Sequence, residues 1–314
     1  MAARWAMQLL LLLLLTSVMA GVLLGSLDLS LVLENQYIIN DLRLSRVLVA
    51  VLAGAGLGVS GSLIQGVVRN SLASPDLLGV TAGAGLAATT ATLYFPQLAF
   101  VWLIPVAIIG ALVTLVLLLW LVRDHDLNPG RLVLVGIALS IWLGALTDWL
   151  LVSHPQQANA ALVWLIGSLW GRGWQHFWVL LPCLLILLPV TLTLALRLDL
   201  LALGDETAES LGASVQRTRL SALLLSVALA AVSVAVCGAI SFVGLIAPHM
   251  ARLLVGGNHR RMLPAAAMVG ALLVLIADIA ARTLAAPLEL PAGVLTSLIG
   301  APYFLFLLTR YKGW

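Results

Sequence analysis

Long uninterrupted apolar runs dominate the chain, in place of the alternation of a half-buried strand or the one-sided stripe of a soluble helix. Runs near 6–27, 47–68, 77–95, 100–122, 132–152, 177–197, 220–239, 263–284 and 291–309 approach the ~20 residues that a spanning helix needs. A shorter apolar piece at about 241–256, SFVGLIAPHMARLLVG, carries Pro248, His249 and Arg252. Lipid would hardly tolerate those residues on an isolated helix, so the piece is expected to be wrapped by the rest of the protein. With it, the pattern predicts an all-α polytopic integral membrane protein of ten transmembrane helices. The start, MAARWAMQLLLLLLLTSVMAG, has the layout of a signal peptide, but apolar residues continue to Leu27, and an uncleaved first span is expected. Residues 159–174, NAALVWLIGSLWGRGW, read as an amphipathic helix lying at the outer surface with its tryptophans at the interface, the alternative being half of a broken span.

Composition agrees with this pattern. Hydrophobic residues make up 62% of the 314, charged residues 9%, and mean hydropathy is +1.12, where ordinary soluble domains carry about 25% charge. The net charge of +3 is spread singly between apolar runs, which excludes a nucleic-acid surface. Orientation follows from the sixteen Lys and Arg. With the N-terminus in the cytoplasm, Arg4, Arg69, Arg123, Arg131, Arg197, Arg217, Arg219, Arg252, Arg260, Arg261, Arg310 and Lys312 lie inside. Only Arg43, Arg46, Arg172 and Arg282 lie outside, so both termini are expected in the cytoplasm. Glycines recur within spans, as in VLAGAGLGVSGSLIQG (51–66) and GVTAGAGLAATT (79–90), and let helix backbones approach closely. No linker or low-complexity tract divides the chain, so residues 1–314 are expected to form one membrane domain.

The polar exceptions narrow the chemistry. The only lysine, Lys312, is followed by Gly313 and Trp314, so the chain cannot carry the phosphate-cradling loop that ends in Gly-Lys-Ser/Thr. It also lacks His-Glu-x-x-His, Cys-x-x-Cys and Gly-x-Ser-x-Gly; no catalytic or metal-binding residue is assigned, and Cys183 and Cys237 read as small hydrophobes. LALGDETAESLGAS (201–214) is the most polar interruption, with Asp205, Glu206 and Glu209 in five residues. It predicts a short amphipathic cytoplasmic helix with its acids outward, either a solvated loop or a docking site for a partner. Asp148 and Asp278 lie in or near span ends, where a proton relay is one reading and interfacial pairing the other.

Five ordered blocks, at 43–80, 201–215 (LALGDETAESLGASV), 238–252 (GAISFVGLIAPHMAR), 259–282 (HRRMLPAAAMVGALLVLIADIAAR) and 288–302 (LELPAGVLTSLIGAP), resemble the signature blocks of the FecCD permeases. These are the membrane subunits of ABC importers for iron-siderophores, haem and vitamin B12. The resemblance implies a BtuC-like fold of ten spans, a second homologous permease subunit, two cytoplasmic ATPase subunits that hold the ATP and Mg, and a periplasmic substrate-binding protein. It makes about 204–212 the coupling helix, with Gly204, Asp205, Glu206, Ala208, Glu209, Leu211 and Gly212 as the ATPase contact. Arg43, Arg46 and Arg282 match positions that hold acids of the binding protein, with local pairing to Asp41 and Asp278 as the alternative. LNPGR (127–131) falls where the family has its inner gate, so Asn128, Pro129, Gly130 and Arg131 are gate candidates or an ordinary turn. LVWLIGSLWGR, LTDWLL and LDLLALGD look most like the ferric dicitrate branch of the family. Another siderophore, haem or vitamin B12 is the alternative cargo, and a proton-coupled secondary transporter the alternative class.

Overall fold

The computed structural model describes residues 2–25, 35–123 and 127–310, and every regular element among them is helical. In chain order these are α1 (Ala2–Leu23), α2 (Ser45–Val68, entered through a π-helical turn at Ile38–Leu44), α3 (Val80–Tyr94), α4 (Leu103–Val122), α5 (Pro129–Ser153), α6 (Ala158–Ile166), α7 (Trp174–Thr193), α8 (Ala195–Leu201), α9 (Asp205–Ser210), α10 (Val215–Cys237), α11 (Val243–Val255), α12 (His259–Thr283) and α13 (Ala292–Arg310). Eight of them, α1, α2, α4, α5, α7, α10, α12 and α13, are long and apolar enough to cross a membrane. The shorter α3 and α11, of 15 and 13 residues, fall on the other two predicted spans.

α2 is the axis of the bundle and packs against α10, α11 and α12. Its small residues make this possible. A Cβ on Gly54 would collide with the Gly270 carbonyl of α12, and one on Gly58 with the Ala266 carbonyl; the two glycines lie one turn apart, so the backbones of α2 and α12 touch along a shared stripe. Ser60 and Ser226 add polar attachment between α2 and α10, each hydroxyl donating to the other's carbonyl, at 2.7 and 2.8 Å. The apolar outer faces of α1, α4 and α7 remain exposed, as expected of helices whose solvent is lipid tails.

Three stretches differ from the sequence expectation, each for a local reason. The run at 77–95 forms one helix that starts three residues late: Pro75–Leu78 make a 3₁₀ turn, Gly79 adopts φ 79°, and α3 starts at Val80. The run at 177–197 divides at Leu194 into α7 and α8. Of 159–174 only the first half is helical. α6 stops at Gly167, φ 81°, whose carbonyl accepts from Gly293 N at 3.0 Å, while Ser168 N donates to the Cys237 carbonyl at 2.8 Å. Trp164 is accordingly buried in the core and not at an interface, while Trp170 is exposed.

Candidate functional site

Gly204, φ 104°, and Gly212, φ 83°, punctuate a single helical turn and a half, which is why α9 stands apart from α8 and α10 as a separate knuckle. The expectation that all three acids face outward holds for two of them. Glu206 and Glu209 are exposed, with Leu211 beside them. Asp205 turns inward: both its carboxylate oxygens accept from one Arg219 nitrogen, at 2.8 and 2.9 Å, and Arg69 approaches to 3.0 Å. The reason is that Arg219 lies almost fully buried at the start of α10 and Arg69 caps the end of α2. Asp205 is the nearest anion to both. Ala208 is fully buried beneath the turn. The knuckle is thus strapped to the ends of α2 and α10 while presenting Glu206, Glu209 and Leu211.

At the opposite end the structure brings Arg43, Arg46 and Arg282 together but turns them inward. Arg46 pairs with Asp278 and Glu289, both at 2.8 Å, and Arg282 pairs with Asp278 at 3.1 Å. Asp278 has no exposed surface. Arg43 donates to the carbonyls of Val22 and Leu23, at 3.1 and 2.6 Å, and Arg282 to those of Gly21 and Leu24, at 3.1 and 3.4 Å. These four carbonyls are the unsatisfied C-terminal acceptors of α1, which cations at that end stabilise. Arg282 thus makes the expected pair with Asp278 four residues before it, Arg46 reaches the same carboxylate from α2, so Asp278 is held between two cations, and Asp148 lies exposed on α5. Arg172, the fourth basic residue of this end, stacks over Phe100 at 4.0 Å. Burial, with Arg46 pushing the same way, lowers its guanidinium to about 10, still charged at neutral pH.

The stretch 127–131 forms the start of a helix. The Asn128 side chain accepts from Gly130 N and Arg131 N, at 3.0 and 3.4 Å, and Pro129 occupies the first helical position. That is the chemistry of a helix cap, so the Asn-Pro-Gly order starts α5.

What sequence reasoning missed lies in the middle. The return loop 69–79 before α3 and the extended link 238–242 before α11 are the two breaks in the bundle, and they meet at a cavity of about 430 Å3. Ser74, Asp76, Thr81, Ser140, Ser241 and Phe242 contribute to its wall. The N-termini of α3 and α11 begin here, so positive dipole ends converge on a largely apolar hollow with a few polar groups, as where discontinuous membrane helices line a transport path. Thr81 Oγ1 donates to Asp76 Oδ1 at 2.6 Å, and Ser140 Oγ donates to the Asp76 carbonyl at 3.2 Å. Phe242 holds a left-handed backbone, φ 66°, with its side chain against Gly300. A bulky residue in that region marks a constrained break. The signal available beforehand was SPDLLG and GAISFVG, two proline- or glycine-bearing interruptions of apolar runs.

Comparison with known proteins gives the chain's relatives. The family model described as "FecCD transport family" matches residues 9–310. The Fe(3+) dicitrate transport system permease protein FecD of Escherichia coli is 50% identical over 279 residues, 89% of this chain and 87% of that protein. The Fe(3+)-citrate import system permease protein YfmE of Bacillus subtilis is 48% identical over 274 residues, 87% and 82% of the two chains. Relatives at 39%, 42% and 43% identity bear the names of iron-hydroxamate, achromobactin and hemin systems. Among solved structures, an inward-facing conformation of a metal-chelate type ABC transporter superposes with a TM-score of 0.88 at 33% identity, covering 99% of this chain and 100% of that one.

Proposed function

The chain belongs to the FecCD transport family, and on that premise we propose that it is the membrane permease of an ATP-driven importer whose cargo is ferric dicitrate. The coarser reading, a multi-pass inner-membrane permease of a metal-chelate ABC importer, follows from the family match together with eight long apolar helices. The ferric citrate cargo rests on the names of the two relatives near 50% identity. A second permease subunit is supported by the pairing of FecD with FecC in the naming of the relatives.

The observation that carries the mechanism is the strapped knuckle. A helix fastened by Asp205 to the ends of α2 and α10 transmits force to the two helices flanking the core, while Glu206, Glu209 and Leu211 stay free to seat in an ATPase. In the proposed cycle two cytoplasmic ATPase subunits pull on this knuckle, a periplasmic binding protein delivers cargo at the end bearing Arg43, Arg46 and Arg282, and both termini lie in the cytoplasm. The arginines there act chiefly by fixing the ends of α1, α2 and α12 as the docking floor. The cavity at the two broken helices is this chain's share of the path. Helix N-termini suit an anionic chelate passing by.

Filling the cavity tests this. Ser140→Trp, placed on the cavity wall from α5, is expected to abolish iron citrate uptake by the reconstituted importer while ATP hydrolysis and assembly persist. Uptake at the unmodified rate would remove the cavity from the path. Failure to take up labelled iron citrate, by a reconstituted importer that does take up labelled iron hydroxamate or haem, would overturn the cargo assignment while leaving the importer class intact.

A further inference from the structure

The end of the bundle that carries α9 holds a second cavity, of about 540 Å3, with Gln65, Arg69, Ala202, Arg252, Gly257 and His259 in its wall. Three buried polar atoms on these residues have no hydrogen-bond partner: Gln65 Oε1, Arg252 Nε and His259 Nε2. Buried polar atoms are nearly always satisfied, so three orphans on one cavity wall call for a common explanation. Two of them are aimed from behind. Gln65 Nε2 donates to the Leu245 carbonyl at 3.2 Å, which turns Oε1 the other way. One oxygen of Asp199 accepts from the His259 backbone at 3.0 Å and lies 2.6 Å from its Nδ1. The imidazole is pinned with Nδ1 toward the carboxylate and Nε2 over Gly66, where a Cβ would stand 3.2 Å from it.

The charges leave a positive surplus. Asp205 is shared by Arg69 and Arg219, and Asp199 serves His259. Arg252, in the last turn of α11, has no ion-pair partner among the described residues. The wall therefore offers two kinds of recognition side by side: guanidinium donors from Arg252 and Arg69, and two acceptors, Gln65 Oε1 and His259 Nε2 with Nδ1 carrying the hydrogen. An oxyanion alone would satisfy the arginines and leave the acceptors bare. An oxyanion that also carries hydroxyl hydrogens satisfies both.

We propose that this cavity binds a hydroxyl-bearing phosphate, either free hydrogen phosphate or the headgroup of a polyol phospholipid. Guanidinium matches phosphate oxygens by paired donors, and a basic recess at the ends of membrane helices lies at headgroup depth. Because Arg69 also holds Asp205, the cavity and the strap beneath α9 share one guanidinium.

The test is thermal unfolding of the purified full-length chain, with native mass spectrometry to identify what is bound. Inorganic phosphate is titrated against sodium chloride at equal ionic strength, and phosphatidylglycerol against phosphatidylcholine, which has the phosphate but no headgroup hydroxyl. A stabilising shift with phosphatidylglycerol alone identifies a headgroup, and a shift with inorganic phosphate identifies the free anion; either supports the site. Arg252→Gln is expected to weaken the effective probe at least tenfold, since a charge-assisted bond to the anion is lost. Ala202→Trp narrows the mouth from an exposed position and is expected to do the same with the fold intact, which decides the matter should Arg252→Gln not fold. No shift with either probe, a phosphatidylglycerol shift matched by phosphatidylcholine with none from inorganic phosphate, or an unweakened Ala202→Trp protein would overturn the proposal.

Discussion

Asp205→Asn separates holding the knuckle from presenting it. The Arg219 side chain is 3% exposed and that of Asp205 39%. Breaking a fully buried ion pair on one side costs about 3–5 kcal/mol, because the remaining charge is left uncompensated, whereas an exposed pair is worth about 0–1 kcal/mol. With the arginine buried and the acid half-open to solvent, the expected loss lies between these, about 2 kcal/mol. Arg69, with its side chain 35% exposed, adds little because water can replace the acid there. Asparagine keeps the shape and one oxygen but not the charge, so the loss reports the electrostatic strap and not a cavity. The assay is denaturant unfolding of the purified chain in detergent, followed by ATPase stimulation in the reconstituted complex. Asp205→Asn is expected to lower both. Paired Glu206→Gln and Glu209→Gln changes, on the exposed face, are expected to leave stability within about 0.5 kcal/mol and to reduce ATPase co-purification. An Asp205→Asn protein with unaltered stability and full stimulation would refute the strap, because a buried Arg219 without its anion cannot be cost-free.

Three further outcomes follow from the packing. Gly58→Leu should prevent α2 and α12 from meeting at the Ala266 carbonyl, with a stability loss of at least about 1–3 kcal/mol visible as a lowered melting temperature or failure to accumulate in the membrane. Asp278→Asn should cost about 3 kcal/mol, and the double change with Arg282→Gln should cost less than the sum, because the two share one network; strict additivity would show that they act independently. Asn128→Ala should lower stability by about 1 kcal/mol with the uptake rate unchanged, whereas altered uptake at unaltered stability would support the gate reading of 127–131.

The spans were legible because lipid leaves the backbone few options: an apolar run near twenty residues must close its hydrogen bonds internally, and α4, α5 and α12 begin and end within about four residues of their hydropathy limits. The breaks were less so. Hydropathy averages over Pro75–Gly79, and only the left-handed Gly79 and the 3₁₀ turn show that the helix of the 77–95 run starts at Val80 after a loop. The knuckle was legible from its charge density and flanking glycines. The inward turn of Asp205 was not, because Arg69 lies far away in sequence, at the end of α2, and even the nearer Arg219 meets it only after α10 folds back. The partners of the outer arginines were hidden for the same reason. Pairing of Asp278 with Arg282 could be read from their four-residue spacing, but Arg46–Asp278, Arg46–Glu289 and the capping of α1 by Arg43 and Arg282 depend on how α1, α2 and α12 converge.

The central claim is that ATP, acting through a partner ATPase on α9, drives iron chelate across the membrane through this chain. The most direct measurement is uptake of radiolabelled iron citrate into proteoliposomes holding this chain, its paired permease and the ATPase, with the binding protein supplied on the other side. Each component is omitted in turn, with and without a protonophore. The account predicts uptake that needs every component and ATP and is indifferent to the protonophore. Uptake that continues without ATP and collapses with the proton gradient would contradict it.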